Sequence, residues 1–540
     1  MKKKVIILGI IISATIMGSC VKDLDVVPQD PDQILAGNIN DKPEYTKQVL
    51  GKIYASFIIP GQGPNGGPDI ESSDDHFFTT MRALWNLQQL PTDEAICAWG
   101  DVGIAELNSQ TWSPSNPFLT ALFQRLSLSI TYANDFIRLT NDNPDADVRR
   151  YNAEARFLRA LAYYYAIDMF GKFPFTTDED GVGKFFPEIQ TREYIFNYIE
   201  SELIDISDEL GEPGFSYPQA DKGAAWMLLA RLYLNAEVYT GTARWGEVKT
   251  YCDSVINSGA YSLATDYRQN FSADNDYYSN PEMIFAWEQD GVHTQGYVGT
   301  TFIIESSSDA EYIRAEDYHG LTENTNWNGN RARIDFLDVM IDTLAVYGGS
   351  PIDPTDLEFD ATPDNRVFLK QKKALNIPSV SSSGDYGVGV YKFTARNHDG
   401  TLPANYNPAY ACTDYPVFRL ADAYLMRAEA FHKLDDDESA KEDINKILER
   451  AYGNTSANIS AALVSDELIL NERAREFYYE GLRRTDLIRF GQFTDGTYTW
   501  QWKGGVYEGT QTSSHRNIYP IPADEVSANP NYNGQNNPGY

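Results

Sequence analysis

The chain has 540 residues and carries 77 acidic against 44 basic side chains, which gives a formal net charge of −33. Because a surface this acidic repels phosphate backbones and anionic lipid, the composition argues against nucleic acid as a ligand. The four cysteines, at positions 20, 97, 252 and 412, show no CxxC spacing, which argues against a zinc site and against a disulfide framework.

The first twenty residues combine three lysines with an apolar run and end in Met17-Gly18-Ser19-Cys20. The uncharged stretch is shorter than the roughly 20 residues that a helix needs to cross a bilayer, so it predicts a signal peptide over residues 1–19. Small residues before a cysteine are typical of bacterial lipoproteins, in which Cys20 becomes the acylated first residue. We therefore expect a lipidated tether over residues 20–42 that attaches the protein to a membrane. An ordinary signal peptide with an incidental cysteine is the alternative.

Apolar residues at helical spacing predict a mainly α-helical chain. The clearest stripe runs from Ala155 to Met169 and ends at Gly171 and Pro174. Helix pairs joined by short turns, as in 220–257 and 417–452, are similar to tetratricopeptide-type hairpins, and a plain bundle of αα-hairpins fits the pattern as well. We expect one domain over 43–540, with helical hairpins at about 43–57, 118–257 and 417–490.

Long segments rich in Gly, Asn, Asp and aromatic residues separate the predicted hairpins, at about 58–116 and 259–416. Loops of this length in a compact protein are usually functional or disordered. Their aromatic content argues against disorder. The sequence therefore predicts an irregular, loop-rich layer on the helical scaffold, and this layer is expected to carry the binding face.

The sequence contains no recognisable catalytic pattern. HExxH, GxSxG and P-loop motifs are missing, and the six histidines show no ligand-like pairing. Among 77 acidic residues, no spacing selects one pair as the acid and base of a glycosidase. The acidic turn Asp274-Asn275-Asp276 is a candidate calcium site, because calcium prefers several converging oxygen ligands, and a solvated turn is the alternative.

Several longer motifs carry a family resemblance. They are EARFLRAL at 154–161 with FGKFP at 170–174, ARLYLN at 230–235, YPVFRLADAY at 415–424, ERAREF at 472–477, GLRRTDL at 481–487 and YPIP at 519–522. These motifs resemble those of the SusD-like (SusD/RagB) lipoproteins, which are glycan-capturing outer-membrane proteins of Bacteroidetes. The resemblance covers essentially the whole mature chain.

The resemblance implies tetratricopeptide-like helical units beneath a loop-rich layer. It implies capture of a glycan at the cell surface and delivery to a SusC-like TonB-dependent transporter of the outer membrane, with no catalysis and no required cofactor. Most members of the family bind oligosaccharides and one branch binds peptides, so a peptide ligand is an alternative. A glycoside hydrolase is the alternative from a different functional class.

The loops resemble those of a starch-binding member of the family, which implies α-glucan oligosaccharides as the ligand. The positions of its binding site correspond here to Asp74, Arg82, Tyr297 and Trp327. Aromatic rings present flat apolar faces to the C–H faces of pyranose rings, while Arg and Asp form hydrogen bonds with hydroxyl groups. A curved arc of such rings is expected to select a helical α-glucan by its shape.

This sequence differs from the family site at two positions. A stacking tryptophan of the family is replaced by Cys97, and a sugar-binding asparagine by Val102. Trp99 or Trp85 is the candidate replacement platform, and the altered arc keeps dextran or a fructan open as the ligand.

The same relative implies a structural calcium ion. The positions of its calcium site correspond here to Asp276 and Asp414. Asp276 also lies in the acidic turn that the sequence pattern selects as a candidate calcium site.

Overall fold

The computed structural model describes residues 39, 42–61, 68–70, 78–181, 183, 185–346 and 362–540. This part of the chain is mainly helical, as the sequence predicts, and its short strands pair in two-stranded antiparallel sheets. Within the same ranges no helix is long and apolar enough to cross a membrane. The predicted signal peptide, Cys20 and most of the predicted tether lie outside the described residues.

The helices and strands follow one another in a fixed order that locates the predicted hairpins. The helices are α1 (Pro43–Ile58), α2 (Thr80–Gln89), α3 (Ile104–Asn108), α4 (Pro117–Thr140), α5 (Ala146–Phe170), α6 (Arg192–Asp205), α7 (Lys222–Leu234), α8 (Ala236–Thr240), α9 (Trp245–Asn257), α10 (Thr300–Ser307), α11 (Ala315–Tyr318), α12 (Ile334–Val346), α13 (Leu420–Lys433), α14 (Asp437–Tyr452), α15 (Asp466–Phe477), α16 (Arg483–Arg489) and α17 (Ala523–Ala528). The strands are β1 (Ile96–Cys97), β2 (Phe173–Phe175), β3 (Glu188–Gln190), β4 (Met283–Trp287), β5 (Asn330–Arg331), β6 (Leu369–Gln371), β7 (Val388–Val390) and β8 (Tyr415–Arg419). The hairpin regions predicted at 118–257 and 417–490 thus contain α4 to α9 and α13 to α16.

The longest hairpin consists of α4 and α5, and local sequence signals explain its bounds. The side chain of Asn116 accepts a hydrogen bond from the main-chain N–H of Phe118, and Pro117 occupies the first turn of α4. Asp145 caps α5 in the same way, and α5 ends at Gly171, as predicted. These caps fix both ends of the scaffold helix that carries the first family motif.

The predicted loop-rich layer contains helices that the sequence pattern does not reveal. Every residue of α2 is buried, and so is every residue of α10. The two helices have only 10 and 8 residues, whereas helical periodicity is recognised over roughly 11–18 residues, so each is too short for the pattern to stand out. The layer is therefore more regular than predicted, although long loops still connect its elements.

The helices pack around a main core whose apolar side chains range from Ile39 to Tyr532, and a smaller cluster lies among α13, α14 and α15. These two clusters draw on every predicted hairpin region. The assignment of a single domain over 43–540 stays a prediction.

Beside the core lies a buried charge network formed by Arg366, Arg419, Arg450, Glu282 and Glu476. Glu476 accepts hydrogen bonds from all three arginines, and Glu282 accepts from Arg419 and Arg450. Although burial raises the pKa of Glu476, the three guanidinium groups outweigh burial and hold the pKa well below its usual value. Because buried charges are costly without partners, this network fixes α14 and α15 against β8.

Candidate functional site

An open cavity of about 500 Å³ lies where three distant segments of the loop-rich layer meet. The first segment is the start of α2, and the second extends from the end of β1 to the start of α4. The third comprises the loop before α10 and the loop between α11 and β5. The pairing of β1 with β5 brings the second and third segments together, because Cys97 lies opposite Asn330 in that sheet. Arg82, Trp99, Tyr297 and Trp327 line this one cavity. The structure therefore brings together all of the expected binding residues that it describes.

Aromatic rings form a continuous row along the cavity. The ring centroids of Tyr410 and Tyr297 are 5.1 Å apart, those of Tyr297 and Trp327 are 5.7 Å apart, and those of Trp327 and Trp99 are 6.1 Å apart. Successive rings are tilted by 45°, 61° and 53° rather than coplanar. The ring planes therefore change direction from one residue to the next, and the half-buried rings of Trp99, Tyr297 and Trp327 offer apolar surface to a ligand.

Arg82 supplies a fixed cation to the cavity. Its main-chain N–H donates to the capping side chain of Thr79, which sets the first turn of α2. Its guanidinium lies 4.4 Å from the centroid of the Phe302 ring and is 7% exposed. Burial lowers the pKa of Arg82 to about 10, so the side chain is still charged at neutral pH. The nearby carboxylate of Asp101, which lines the same cavity, offsets this charge.

The loop that carries Trp327 has an unusual backbone. Asn324, Asn326 and Asn328 all have positive φ, at 54°, 64° and 49°. Asparagine is among the few residues other than glycine that adopt this conformation readily, so the amino-acid choice matches the backbone. The Trp327 N–H donates to the carbonyl of Glu305, at 3.1 Å.

The main-chain N–H groups of this loop donate to carbonyls of α10 and of the residue after it, and to one carboxylate of α10. The N–H groups of Asn328 and Gly329 donate to the carbonyls of Ser308 and Ser306, both at 2.8 Å. The carboxylate of Glu305, at the end of α10, accepts from the N–H of Asn326 at 2.9 Å. Burial raises the pKa of Glu305 to about 7. The position of the Trp327 ring is thus set by the helix beneath it.

Trp99 is held against the same loop. Its indole N–H donates to the carbonyl of Trp327 at 3.1 Å. A Cβ atom at Gly329 would lie 2.4 Å from the Trp99 ring, so only glycine allows this close approach. Trp99 is therefore in a position to act as the replacement platform. The other candidate, Trp85, is wrong, because its ring is 1% exposed and its N–H donates to the carbonyl of Tyr479 inside the core.

The two departures from the family site lie in different environments. Cys97 is 1% exposed, and burial raises the pKa of its thiol to about 11, so it presents no surface to a ligand. Val102 is 78% exposed at the edge of the cavity. It is therefore the departure that a bound ligand would contact. Asp74, the remaining expected binding residue, lies outside the described residues.

The sequence pattern does not select Phe78, Asp101 or Phe118, which line the cavity, or Tyr410, whose ring packs against that of Tyr297. Each is a single residue in a loop or at a helix start, without a local pattern that separates it from other aromatic or acidic residues. Only the tertiary contact with a predicted residue identifies them.

The expected calcium residues lie on a different part of the layer. Asp414 is 5% exposed and accepts hydrogen bonds from the Tyr217 hydroxyl and from the Gln289 N–H. Burial, with the carboxylates of Glu288 and Asp276, raises the pKa of Asp414 to about 7. Oxygen donors of this kind fit calcium. In the described ranges, however, no three acidic, histidine or cysteine side chains converge as a metal-binding group. The calcium site stays a prediction, and main-chain oxygens or water would have to complete it.

Comparisons with known proteins place these features in context. The model of the SusD family matches residues 252–540. The chain is 36% identical to the starch-binding protein SusD of Bacteroides thetaiotaomicron, over 97% of this chain and 96% of that protein.

Solved structures are similar over nearly the whole chain. Surface glycan-binding protein A of Bacteroides fluxus has a TM-score of 0.66 and 21% identity, and the alignment covers 92% of this chain and 100% of that one. Surface glycan-binding protein A of Bacteroides thetaiotaomicron, in complex with laminarihexaose, has a TM-score of 0.64 and 18% identity, with 90% and 97% covered. At these identities the two structures support the fold alone.

Proposed function

The chain belongs to the SusD family, as its motifs predict, and on that premise we propose that it captures α-glucan oligosaccharides of the starch type. The observation that carries this proposal is the convergence of Arg82, Trp99, Tyr297 and Trp327 around one cavity. The relative that shares 36% identity is named a starch-binding protein, which supports the same class of ligand.

The chemistry of the cavity fits a neutral glycan. Its rings offer apolar faces to pyranose rings, and Arg82 and Asp101 offer a donor and an acceptor to sugar hydroxyls. Because the charges of these two side chains offset each other, the site has no excess of positive charge to attract an acidic sugar. The tilt between successive rings follows a curved chain better than a flat one.

Native affinity gels against starch, dextran, levan and an unrelated polysaccharide test the ligand. We expect starch to retard the protein most. Strong retardation by dextran or levan instead would assign the site to the differently linked glycan that the changes at Cys97 and Val102 keep open. If none of the polymers retards the protein, glycan capture is wrong and the peptide-binding branch becomes the better comparison.

We propose the same role in transport that the family resemblance implies: the protein is lipid-anchored through Cys20 on the outer-membrane surface and delivers its glycan to a SusC-like TonB-dependent transporter. Replacing Cys20 by Ser should release the protein from the membrane fraction. Retention in that fraction would disprove the anchor. Co-purification of the wild-type protein with such a transporter tests the partner.

We propose that the protein binds its glycan without cleaving it. Incubation with starch should release no reducing sugar. Release that a single carboxylate substitution abolishes would reassign the protein as a glycoside hydrolase.

A structural calcium ion at Asp276 and Asp414 is a further part of the proposal. Calcium would stabilise the folded protein by binding it in preference to the unfolded chain. Adding calcium after chelation should raise the melting temperature of the wild-type protein, and Asp414→Asn should remove the increase. An equal melting temperature with calcium and with chelator would exclude the site.

A further inference from the structure

A second cavity, of about 350 Å³, opens next to the proposed glycan site. Its walls come from α1, from the loop 216–219 and from the end of β4. The aromatic residues Tyr54, Tyr217 and Trp287 line it, together with Leu50, Ile58 and Glu288. The volume is at the lower end of the range of about 300–1,000 Å³ that is usual for small-ligand sites. We refer to this cavity as the α1 pocket.

The α1 pocket contains a polar group that lacks a partner. Trp287 is 3% exposed, and among the described residues its indole N–H has no hydrogen-bond acceptor. Phe57 and Tyr415 stack on the indole, with interplanar angles of 23° and 18°. The ring is therefore fixed in place. A buried donor without an acceptor costs about 1–3 kcal/mol.

A glycine in α1, the helix that forms one wall of the α1 pocket, leaves space at the opening of the pocket. Gly51 lies in the middle of α1, where glycine costs roughly 1 kcal/mol relative to alanine. A Cβ atom at this position would have no other atom within 4 Å, so packing does not require the glycine. Gly51 itself lines the α1 pocket, and the missing side chain widens the opening.

The apolar surface continues outward from the pocket. The ring of Tyr278 is 72% exposed, and its centroid is 6.5 Å from that of Tyr217. Tyr277 packs against Tyr278 at 5.8 Å. Exposed tyrosine rings beside a cavity resemble the chemistry of the first site, since they combine an apolar face with a hydroxyl group.

The two cavities share one loop. Thr294 lines the α1 pocket, and Tyr297 lines the proposed glycan site. Three residues of extended chain span at most about 11 Å, so the two linings are close together. The carboxylate of Asp290 stabilises this loop, because it accepts hydrogen bonds from the main-chain N–H groups of Val292, His293 and Thr294. Three main-chain N–H groups on one carboxylate make a rigid connection between the cavities.

We propose that the α1 pocket is a second binding site for a neutral glycan, which holds a further segment of the polymer bound at the row of rings. The proposal rests on the proposed function. The Glu288 carboxylate accepts from a sugar hydroxyl, and the aromatic walls contact the sugar ring. Because binding at the first site raises the local concentration of sugar at the second, a polymer gains more from the α1 pocket than a short sugar does.

Blocking the pocket without touching the first site tests this inference. Gly51→Phe places a ring in the opening of the α1 pocket. Gly246→Phe is the matched control, because Gly246 is an exposed helix glycine with no atom within 4 Å of its Cβ position, and it lines neither cavity. Affinity gels with soluble starch, dextran and levan measure polymer binding, and calorimetry with maltotriose measures the first site.

We expect Gly51→Phe to weaken binding of soluble starch by at least roughly tenfold, while maltotriose binding and the behaviour of Gly246→Phe match the wild type. Trp327→Ala should keep a residual retardation that Trp327→Ala with Gly51→Phe loses. Starch binding by Gly51→Phe that equals the control would overturn the α1 pocket and leave the proposed function intact. If the wild type binds none of the three polymers, the proposed function itself fails.

A measurement on the wild-type protein avoids dependence on the folding of Gly51→Phe. Soluble starch should slow hydrogen–deuterium exchange in 216–219 and 286–294, as well as around Trp327. Slower exchange around Trp327 alone would overturn the second site.

Discussion

The buried charge network and the row of rings differ in their exposure and in their origin in the sequence. Glu476 and the three arginines around it are buried and have charged partners, and two of these residues, Arg419 and Glu476, belong to the family motifs 415–424 and 472–477. The rings of Trp99, Tyr297 and Trp327 are half-buried and come from loops. The comparison teaches that the recognisable motifs include residues that hold the fold together, whereas the aromatic residues of the proposed glycan site come from loops.

The largest effect is expected from breaking the network. Glu476→Gln removes the charge that three buried guanidinium groups share. Each guanidinium keeps another carboxylate, so we expect a loss near the lower end of the roughly 3–5 kcal/mol of unfolding free energy that breaking a buried ion pair costs. Chemical denaturation measures the loss.

The exposed pair of Arg149 and Glu209 provides the control for Glu476→Gln. Arg149→Met should cost no more than about 1 kcal/mol, because exposed ion pairs contribute little. Equal losses in the two variants would show that the network is not a special source of stability.

Glu305 shares a property with each region. It is buried, like the residues of the charge network, and its carboxylate holds the loop that carries Trp327. Burial raises its pKa from 4.5 to about 7, so ionisation costs the folded state more than the unfolded state. The stability that this group contributes is therefore present at low pH and lost as the pH rises toward 7. Between pH 4 and pH 8 the loss amounts to about 3 kcal/mol.

Glu305→Gln, which cannot ionise, should lack this part of the pH dependence. Denaturation of both proteins at pH 4 and pH 8 measures the difference. Parallel pH profiles for the two proteins would contradict the assignment.

Substitutions in the proposed glycan site are expected to change the affinity for the glycan rather than the free energy of unfolding. Trp327→Ala removes a stacking surface and should weaken glycan binding by at least about 1 kcal/mol, or roughly fivefold in Kd. The unfolding free energy should change by less than about 0.5 kcal/mol if the loop backbone holds. Tyr194→Ala, which removes an exposed ring on α6, is the control. Calorimetry with unchanged affinity would remove Trp327 from the site.

The smallest effect is expected from substitutions at Val102, the exposed position at which this sequence differs from the family site. Val102→Asn adds a donor and an acceptor at an exposed position on the edge of the cavity. We expect α-glucan binding to tighten by about 0.5–1 kcal/mol, which is the usual contribution of one hydrogen bond. Val102→Ala, which adds no hydrogen bond, should not tighten binding. Weaker binding by Val102→Asn would mean that the valine itself contacts the ligand.

The scaffold follows from the sequence because its helices are long enough for apolar residues to recur at helical spacing. The stripe from Ala155 to Met169 falls within α5, and Gly171 ends that helix as predicted. In contrast, α2 and α10 have only 10 and 8 residues. Helical periodicity is recognised over roughly 11–18 residues, so these two helices are too short to be predicted from it.

The site follows from the sequence only in part. Arg82, Tyr297 and Trp327 were expected from the family resemblance, and no spacing in the chain selects them. The cavity itself depends on the pairing of β1 with β5, which joins segments far apart in the chain. Tyr410 and Asp101 become visible only through that tertiary arrangement, because a single aromatic or acidic residue in a loop carries no local signal.

The way in which the loop of Trp327 is held has a consequence for how such a protein diverges. The N–H groups of residues 327, 328 and 329 donate to carbonyls of α10 and of the residue after it, and none of these bonds involves the side chain at position 327. An exchange of that side chain would therefore leave the loop in place. Proteins with this backbone would therefore change their ligand by exchanging the side chain at this position, while the main-chain hydrogen bonds of the loop stay the same.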